Sequence, residues 1–147
     1  MAKNTGKPSE QAFDDYWKTQ GKSAWVFRFA DSSSLTGLNG KKTQALAQPS
    51  DRLLIWNGNT EFAEVKSTQD ATAFRFSLLR IKQSAYATMI LAAGGSYNVY
   101  IHAMLSGRWY KIPYQKIKYT RDVLKKESIP WVDLDTEFQC FELSPTS

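Results

Sequence analysis

The stretch DRLLIWNGNTEFAEVK, residues 51–66, decides the fold of this chain. Two apolar runs, 53–56 and 60–66, flank the dipeptide Asn57-Gly58. Asn-Gly between apolar runs is the strongest short-range signal for a β-hairpin, because both residues readily adopt positive φ angles. We therefore predict two antiparallel strands joined by a two-residue turn.

The register of this hairpin brings three charged residues together. With a two-residue loop Trp56 faces Asn59, and five pairs further along Asp51 faces Glu64. Directly opposed side chains lie on one sheet face with Cβ atoms about 5 Å apart. Lys66 follows Glu64 by two residues and points to the same face. A slip of one residue would turn Asp51 to the other face.

Asp51, Glu64 and Lys66 predict a metal-dependent hydrolytic site. Two opposed carboxylates repel unless they are neutralised, and a divalent cation with oxygen ligands does this. Lys66 beside them can hold or help deprotonate an attacking water and stabilise charge at phosphorus. The alternative is that Asp51 is a turn residue and that Glu64 and Lys66 form an exposed ion pair.

Two further polar residues lie on apolar helix faces. Glu10 shares a face with Phe13 and Trp17, so it can point inward at the metal. It can equally be a first-turn glutamate that the helix dipole favours. Gln83 shares a face with Tyr86, and a buried amide needs a partner. An active-site water, a phosphate or a backbone group could be that partner.

The remaining sequence predicts an α/β fold in one domain, residues 1–147. We expect a flexible arm at 1–8, a loop at 31–50 and an acidic C-terminal tail at 130–147 that packs on the body or on a second subunit. The order α-β-β-β-α-β-β-α implies a mixed central β-sheet flanked by helices. The predicted helices are 9–20, capped by Ser9, then 77–93, largely buried, and 114–126; the other strands are 25–30, 97–104 and 108–112.

Charge is distributed unevenly along the chain. The net charge is +5. Residues 1–126 hold all 19 Lys and Arg and nine of the 14 acids, whereas 127–147 hold five acids and no base. A basic body suggests a polyanionic partner, although ordinary surface charge is the alternative.

Basic residues interleaved with tyrosines are candidates for gripping DNA phosphates. Tyr110, Tyr114 and Tyr119 could pack on sugars or stack on unpaired bases. A solvated basic helix is an equally good interpretation of the C-terminal group. The candidate DNA-binding residues are Lys41, Lys42, Lys111, Lys116, Lys118 and Arg121.

Several other classes of function have no support. No window approaches the roughly 18 apolar residues that span a bilayer, and the polar N-terminus does not resemble a secretory signal. Cys140 is alone, which is weak evidence for a reducing, cytoplasmic location. His102 has no neighbouring ligand and is expected to be structural. The serines at 32–34 lack triad partners.

The motif residues resemble those of a known superfamily. Pro49-Ser50-Asp51, thirteen residues before the Glu64 of Glu64-Val65-Lys66, resembles the PD-(D/E)xK nuclease signature. The chain is most similar to RecU-type Holliday junction resolvases and their phage relatives, over about residues 6–114. This resemblance is carried by Gly6 to Glu10 with Phe13, the spacing from Asp51 to Glu64, Phe76-Ser77-Leu78, and Gln83 with Met89.

The resemblance implies a restriction-endonuclease-like core and a Mg²⁺-dependent endonuclease, in which Mn²⁺ can substitute. It implies a homodimer that cuts branched DNA symmetrically during recombination and repair. If the gene is from a phage, the resemblance implies that the protein acts in the host cytoplasm. Asp51, Glu64, the Val65 carbonyl and Glu10 would hold metal, Lys66 would lie beside the attacking water, and Gln83 would assist.

Two departures from the family pattern bear on DNA contact. The loop at 31–50 occupies the place of a junction-engaging segment but is short, and Ser50 separates Pro49 from Asp51.

A restriction, repair or nicking enzyme of the same superfamily remains an alternative, which a substrate panel distinguishes. A non-catalytic DNA-binding module is another, and failure to bind Mg²⁺ or Mn²⁺ would favour it.

Overall fold

The computed structural model describes residues 6–29 and 48–137, in which helices and strands alternate. Short 3₁₀ turns lie at Gly21–Ser23 and Phe76–Leu78. The helices are α1 (Gly6–Lys18), α2 (Ile81–Ala92), α3 (Tyr114–Asp122) and α4 (Trp131–Glu137), and the strands are β1 (Ala24–Arg28), β2 (Arg52–Trp56), β3 (Asn59–Thr68), β4 (Ala73–Arg75), β5 (Tyr97–Ala103), β6 (Arg108–Pro113) and β7 (Ser128–Pro130).

A five-stranded mixed sheet forms the centre of the fold, in the order β1-β2-β3-β5-β6. Neighbouring strands are antiparallel except for β3 and β5, which are parallel. A parallel pair requires a crossover connection, and the segment containing β4 and α2 supplies it. The predicted α/β fold with helices on a mixed sheet is therefore correct.

The β2–β3 hairpin has the register that the sequence predicts. Trp56 lies opposite Asn59 and Leu53 opposite Phe62. Asn57 and Gly58 have φ angles of 51° and 80°, as a tight turn matched to the twist of the strands requires. The predicted second hairpin, β5–β6, is also present, with Ala103 paired to Arg108.

Helix α1 covers one face of the sheet. Its apolar side chains Phe13 and Trp17 are fully or almost fully buried against Leu54, Val65 and Tyr100. The ring of Phe13 meets that of Tyr100 edge-on, with centroids 4.9 Å apart. The alternation of β2 and β3 turns Leu54 and Val65 to this face, so Glu64 must point to the opposite one.

The opposite face carries the larger core. Buried Val99 and Ile101 of β5 and Ile112 of β6 pack there with Ala87 of α2 and Ile117 of α3. Helices α2 and α3 therefore lie on the face to which Glu64 points. This arrangement brings residues of α2 within reach of the end of the first hairpin.

A second, two-stranded sheet closes this core. Strands β4 and β7 pair antiparallel, with Phe74 opposite Ile129. Helix α4 follows at once, and the ring of Trp131 stacks on Tyr110 with centroids 5.2 Å apart. The Trp131 Nε1–H also donates to the Asp70 carbonyl at 2.9 Å. Within the expected tail, residues 131–137 thus pack on the body of this chain.

The N-terminal helix starts earlier and ends earlier than predicted. It begins at Gly6, so residues 6–8 belong to it and not to an arm. Pro8 is compatible with this because the N–H it lacks would have no partner in a first turn. Ser9 is not the expected cap: it is buried, and its hydroxyl bonds His102 Nδ1 at 2.8 Å. The helix ends at Lys18, two residues before the predicted boundary.

Two predictions for the other helices are wrong. The expected helix from Ser77 begins only at Ile81, after the β4 strand and a 3₁₀ turn. It is also largely exposed, since Ala87 is its buried residue and Ile81 is 89% exposed. Helix α3 ends at Asp122, with Val123 as its C-cap, four residues before the predicted end. It cannot extend to Lys126, because Lys125 has a positive φ of 58°, outside the right-handed helical region.

Part of the predicted organisation lies outside the described residues. This holds for most of the loop at 31–50, for residues 1–5 of the arm and for residues 138–147 of the tail. In the part of the chain that is described, no helix has the length and apolar character to cross a membrane.

Candidate active site

Asp51 and Glu64 meet at the end of the first hairpin, as predicted. The strand pairing ends at Arg52 opposite Ala63, one residue before Asp51. The Asp51 N–H donates to Glu64 Oε1 at 3.1 Å, and the Val65 N–H donates to Asp51 Oδ2 at 2.9 Å. The two carboxylates therefore lie side by side on one sheet face.

Lys66 and Gln83 both contact the second oxygen of Glu64. Lys66 Nζ lies 3.0 Å from Oε2, and the Gln83 Nε2–H donates to the same atom at 2.6 Å. Gln83 Oε1 accepts the Arg80 N–H at 3.1 Å, at the first turn of α2. The amide is thus fixed at both ends: by a backbone group, which was one of the expected partners, and by the Glu64 carboxylate, which was not among them.

The charge state of Glu64 is strongly perturbed. Its side chain is fully buried. Burial raises its pKa to about 8; the neighbouring Asp51 carboxylate raises it as well, while Lys66 acts in the opposite direction. Near neutral pH this pair of carboxylates therefore has a strong tendency to bind either a proton or a cation.

Glu10 lies near the pair, but its contact is with an arginine. Its Oε1 is 3.2 Å from Arg52 Nη1. Burial and then the charge of Asp51 raise the pKa of Glu10, and Arg52 lowers it. Glu10 is thus close enough to Asp51 to be affected by its charge, while its carboxylate is turned to Arg52.

Arg52 is a residue of this region that the sequence reasoning missed. It is 1% exposed, and its Nε and Nη2 bond the two oxygens of Asp14 at 2.8 and 3.0 Å. Part of the signal was present: Arg52 alternates with Leu54 in β2, which indicates that both side chains face the same side of the sheet. Glu10 and Asp14 are spaced i, i+4 on α1, so they face the same neighbour.

Tyr97 is a second missed residue. It is 2% exposed, and its hydroxyl donates to the Pro49 carbonyl at 2.7 Å. Burial raises its pKa well above the usual range, and the charges of Glu64 and Asp51 act in the same direction. The Ser50 hydroxyl, also buried, donates to the Arg52 carbonyl at 2.7 Å. These bonds fix the segment that leads into Asp51.

The donor set fits a hard divalent cation. Asp51 and Glu64 offer adjacent carboxylate oxygens, and the pKa of Glu64 is raised first by burial and then by the charge of Asp51. Among residues 6–29 and 48–137, no group of three or more His, Cys, Asp and Glu could hold a metal. Mg²⁺ needs no such group, since it commonly takes one or two carboxylates and keeps several waters.

The candidate DNA-binding residues are only partly free to meet a polyanion. Lys41 and Lys42 lie outside the described residues. Lys111 lies 3.2 Å from Glu61, and Lys118 and Arg121 lie 3.2 and 3.0 Å from Asp122. Lys116 is half-buried on α3. Neighbouring acids thus offset much of this positive charge.

Two of the three candidate tyrosines cannot stack on bases. Tyr110 and Tyr114 are 1% exposed, whereas Tyr119 is 52% exposed.

His102, which was expected to be structural, is confirmed as such. It bonds Ser9 and stacks on Trp109 with centroids 4.7 Å apart, and burial lowers its pKa.

Comparison with known proteins supports the fold. No family model and no curated protein matches the sequence. Among solved structures, the chain is similar to Hjc, a Holliday junction resolvase from the archaeal hyperthermophile Archaeoglobus fulgidus, with a TM-score of 0.57. The match covers 93% of this chain and 95% of that one at 14% identity. At this identity the likeness shows a shared α/β fold: a mixed sheet flanked by helices.

Proposed function

We propose that this chain is a metal-dependent endonuclease that acts on branched DNA, with Asp51, Glu64 and Lys66 at its catalytic centre. The site supports nuclease chemistry of this kind. The choice of DNA junctions as substrate is supported by the PD-(D/E)xK resemblance and by the fold shared with an archaeal Holliday junction resolvase.

The observation that carries the proposal is the paired carboxylates. Two acidic side chains lie against each other at a strand end, and one of them is fully buried. Lys66 offsets part of this negative charge, and the rest is unfavourable unless the pair also binds a cation or a proton. A purely structural role would be met better by a neutral side chain, such as glutamine in place of Glu64.

The side chains have distinct roles in this proposal. Asp51, Glu64 and the Val65 carbonyl would hold Mg²⁺ or, in its place, Mn²⁺. When bound, the cation supplies Lewis-acid stabilisation of charge that develops on the phosphate. Lys66 Nζ donates hydrogen bonds to the attacking water, and its positive charge stabilises the transition state. Gln83 keeps the Glu64 carboxylate in one orientation.

The same proposal has consequences for products and assembly. Water attacks phosphorus and leaves 5′-phosphate and 3′-hydroxyl ends. Symmetrical cutting of a four-way junction needs two such centres, so we propose a homodimer, which light scattering during size-exclusion chromatography would detect.

Cleavage of a labelled four-way junction and of a matched linear duplex tests the function. With Mg²⁺ we expect the junction to be cut into two nicked duplexes and the linear DNA to persist, and EDTA should prevent cutting. No metal-dependent cutting of either DNA would refute the endonuclease. Equal cutting of both would refute junction selectivity and leave a nuclease of another type.

A further inference from the structure

Arg52 carries a buried charge directly beside Asp51 that the proposed chemistry does not use. Its Nη1 donates to the Asp51 carbonyl at 3.1 Å and to Glu10 Oε1 at 3.2 Å. Its Nε and Nη2 donate to the two oxygens of Asp14. A guanidinium that binds a carboxylate through two nitrogens is fixed in orientation as well as in position.

Asp51 needs such support because it lies just beyond the strand pairing. Its N–H and carboxylate bond Glu64 and Val65, while its carbonyl accepts the Phe29 N–H at 3.1 Å in addition to Arg52. A residue at the end of a strand pairing frays easily, because fewer backbone hydrogen bonds hold it. Arg52 connects this residue to helix α1, which is itself buried against the sheet.

We propose that Arg52 is a positioning residue for Asp51, held in place by Glu10 and Asp14. In this arrangement Glu10 acts on the site through the guanidinium. The proposal rests on the proposed function for its effect on catalysis, but the placement of Asp51 can be measured without any DNA or metal.

Two conservative variants test the proposal. Arg52→Lys keeps the positive charge but replaces the planar fork by one ammonium, which cannot reproduce bonds to Asp14, Glu10 and the Asp51 carbonyl together. Asp14→Asn leaves Arg52 in place and removes one charged partner. Arg108→Lys is the matched control, because it alters an exposed arginine–aspartate pair with Asp135.

The measurement is amide hydrogen exchange in metal-free protein. The Val65 N–H reports on Asp51, since it donates to Asp51 Oδ2, and the N–H of buried Ile101 in β5 reports on global unfolding. We expect Arg52→Lys and Asp14→Asn each to accelerate exchange at Val65 by about tenfold or more, with a much smaller change at Ile101. Calorimetric titration with Mn²⁺ should show affinity weakened by roughly tenfold.

The outcomes separate the two proposals. Unchanged exchange at Val65, or equal acceleration at Val65 and Ile101, would overturn the positioning role, as would effects of the same size in the Arg108→Lys control. If Arg52→Lys does not fold, Asp14→Asn decides the question. If the wild-type protein cuts no DNA but Val65 responds as expected, the proposed function fails while the role of Arg52 stands.

Discussion

Burial and a neighbouring carboxylate set the charge of Glu64, and this has a measurable consequence for stability. In the unfolded chain the carboxyl group titrates near 4.5, whereas in the folded protein its pKa is raised to about 8. At pH values between these two pKa values, the folded state holds more protons than the unfolded state. The free energy of unfolding of metal-free protein should therefore fall as pH rises from about 5 to 8, by up to about 1.4 kcal/mol per pH unit.

The variant Glu64→Gln isolates this effect. Glutamine cannot ionise, so the fall in the free energy of unfolding between pH 5 and 8 should vanish. At pH 8 the variant should therefore have a larger free energy of unfolding than the wild type. Urea denaturation in EDTA at several pH values measures both proteins. Parallel stability curves for the two would show that Glu64 titrates normally in the fold.

Asp51→Asn should remove catalysis and preserve the fold. The asparagine Oδ1 can still accept the Val65 N–H, but the side chain no longer offers a charged ligand. We expect cleavage to fall by roughly hundredfold or more while junction binding, measured by mobility shift in EDTA, is retained. A variant that still cuts at the wild-type rate would exclude Asp51 from the site.

At the scale of elements, the turn at Asn57-Gly58 determines the register on which the site depends. Gly58 has a φ angle of 80°, which a β-branched residue adopts only with strain. Gly58→Val should therefore cost about 1–3 kcal/mol in the free energy of unfolding. The control Thr60→Val, at an exposed strand position, should be close to neutral. Equal stability of both variants would mean that the turn does not constrain the hairpin.

The elements also show which parts of the site a sequence can predict. The contact of Asp51 with Glu64 follows from turn chemistry and strand alternation, both local properties. Helix spacing places Gln83 on the same face of α2 as Tyr86, but its contact with Glu64 depends on how α2 packs on the sheet. The Arg52 contacts with α1 depend on how the helix packs on the sheet, which local spacing does not determine.

Two elements escaped prediction for a related reason. Strands β4 and β7 contain three residues each and pair across more than fifty positions, with Ala73 opposite Pro130. Three residues carry too little periodicity to be recognised without the partner. The exposure of α2 was missed because an apolar helix is expected to be buried. Composition alone does not show which side chains of the helix remain exposed to solvent.

At the scale of the whole molecule, Trp131 joins the C-terminal helix to the sheet. It stacks on Tyr110, bonds the Asp70 carbonyl and is 9% exposed. Trp131→Ala should reduce the free energy of unfolding by about 3–5 kcal/mol, measured by urea denaturation. Val132→Ala, at a side chain that is 71% exposed, should change it by less than about 0.5 kcal/mol. A similar small loss in both would show that α4 contributes little to the core.

The hairpin that joins Asp51 to Glu64 also bears on the order of events during folding. Their contact closes over few residues, and β-hairpins form in roughly 1–10 μs. Contacts across longer stretches of chain, such as those of Arg52 with α1, pay a larger loop-closure entropy. We therefore expect the two carboxylates to meet before Glu10 and Asp14 of α1 fix Arg52 in place. Until then their mutual repulsion opposes the hairpin, so early folding should be faster in acid or in added Mg²⁺.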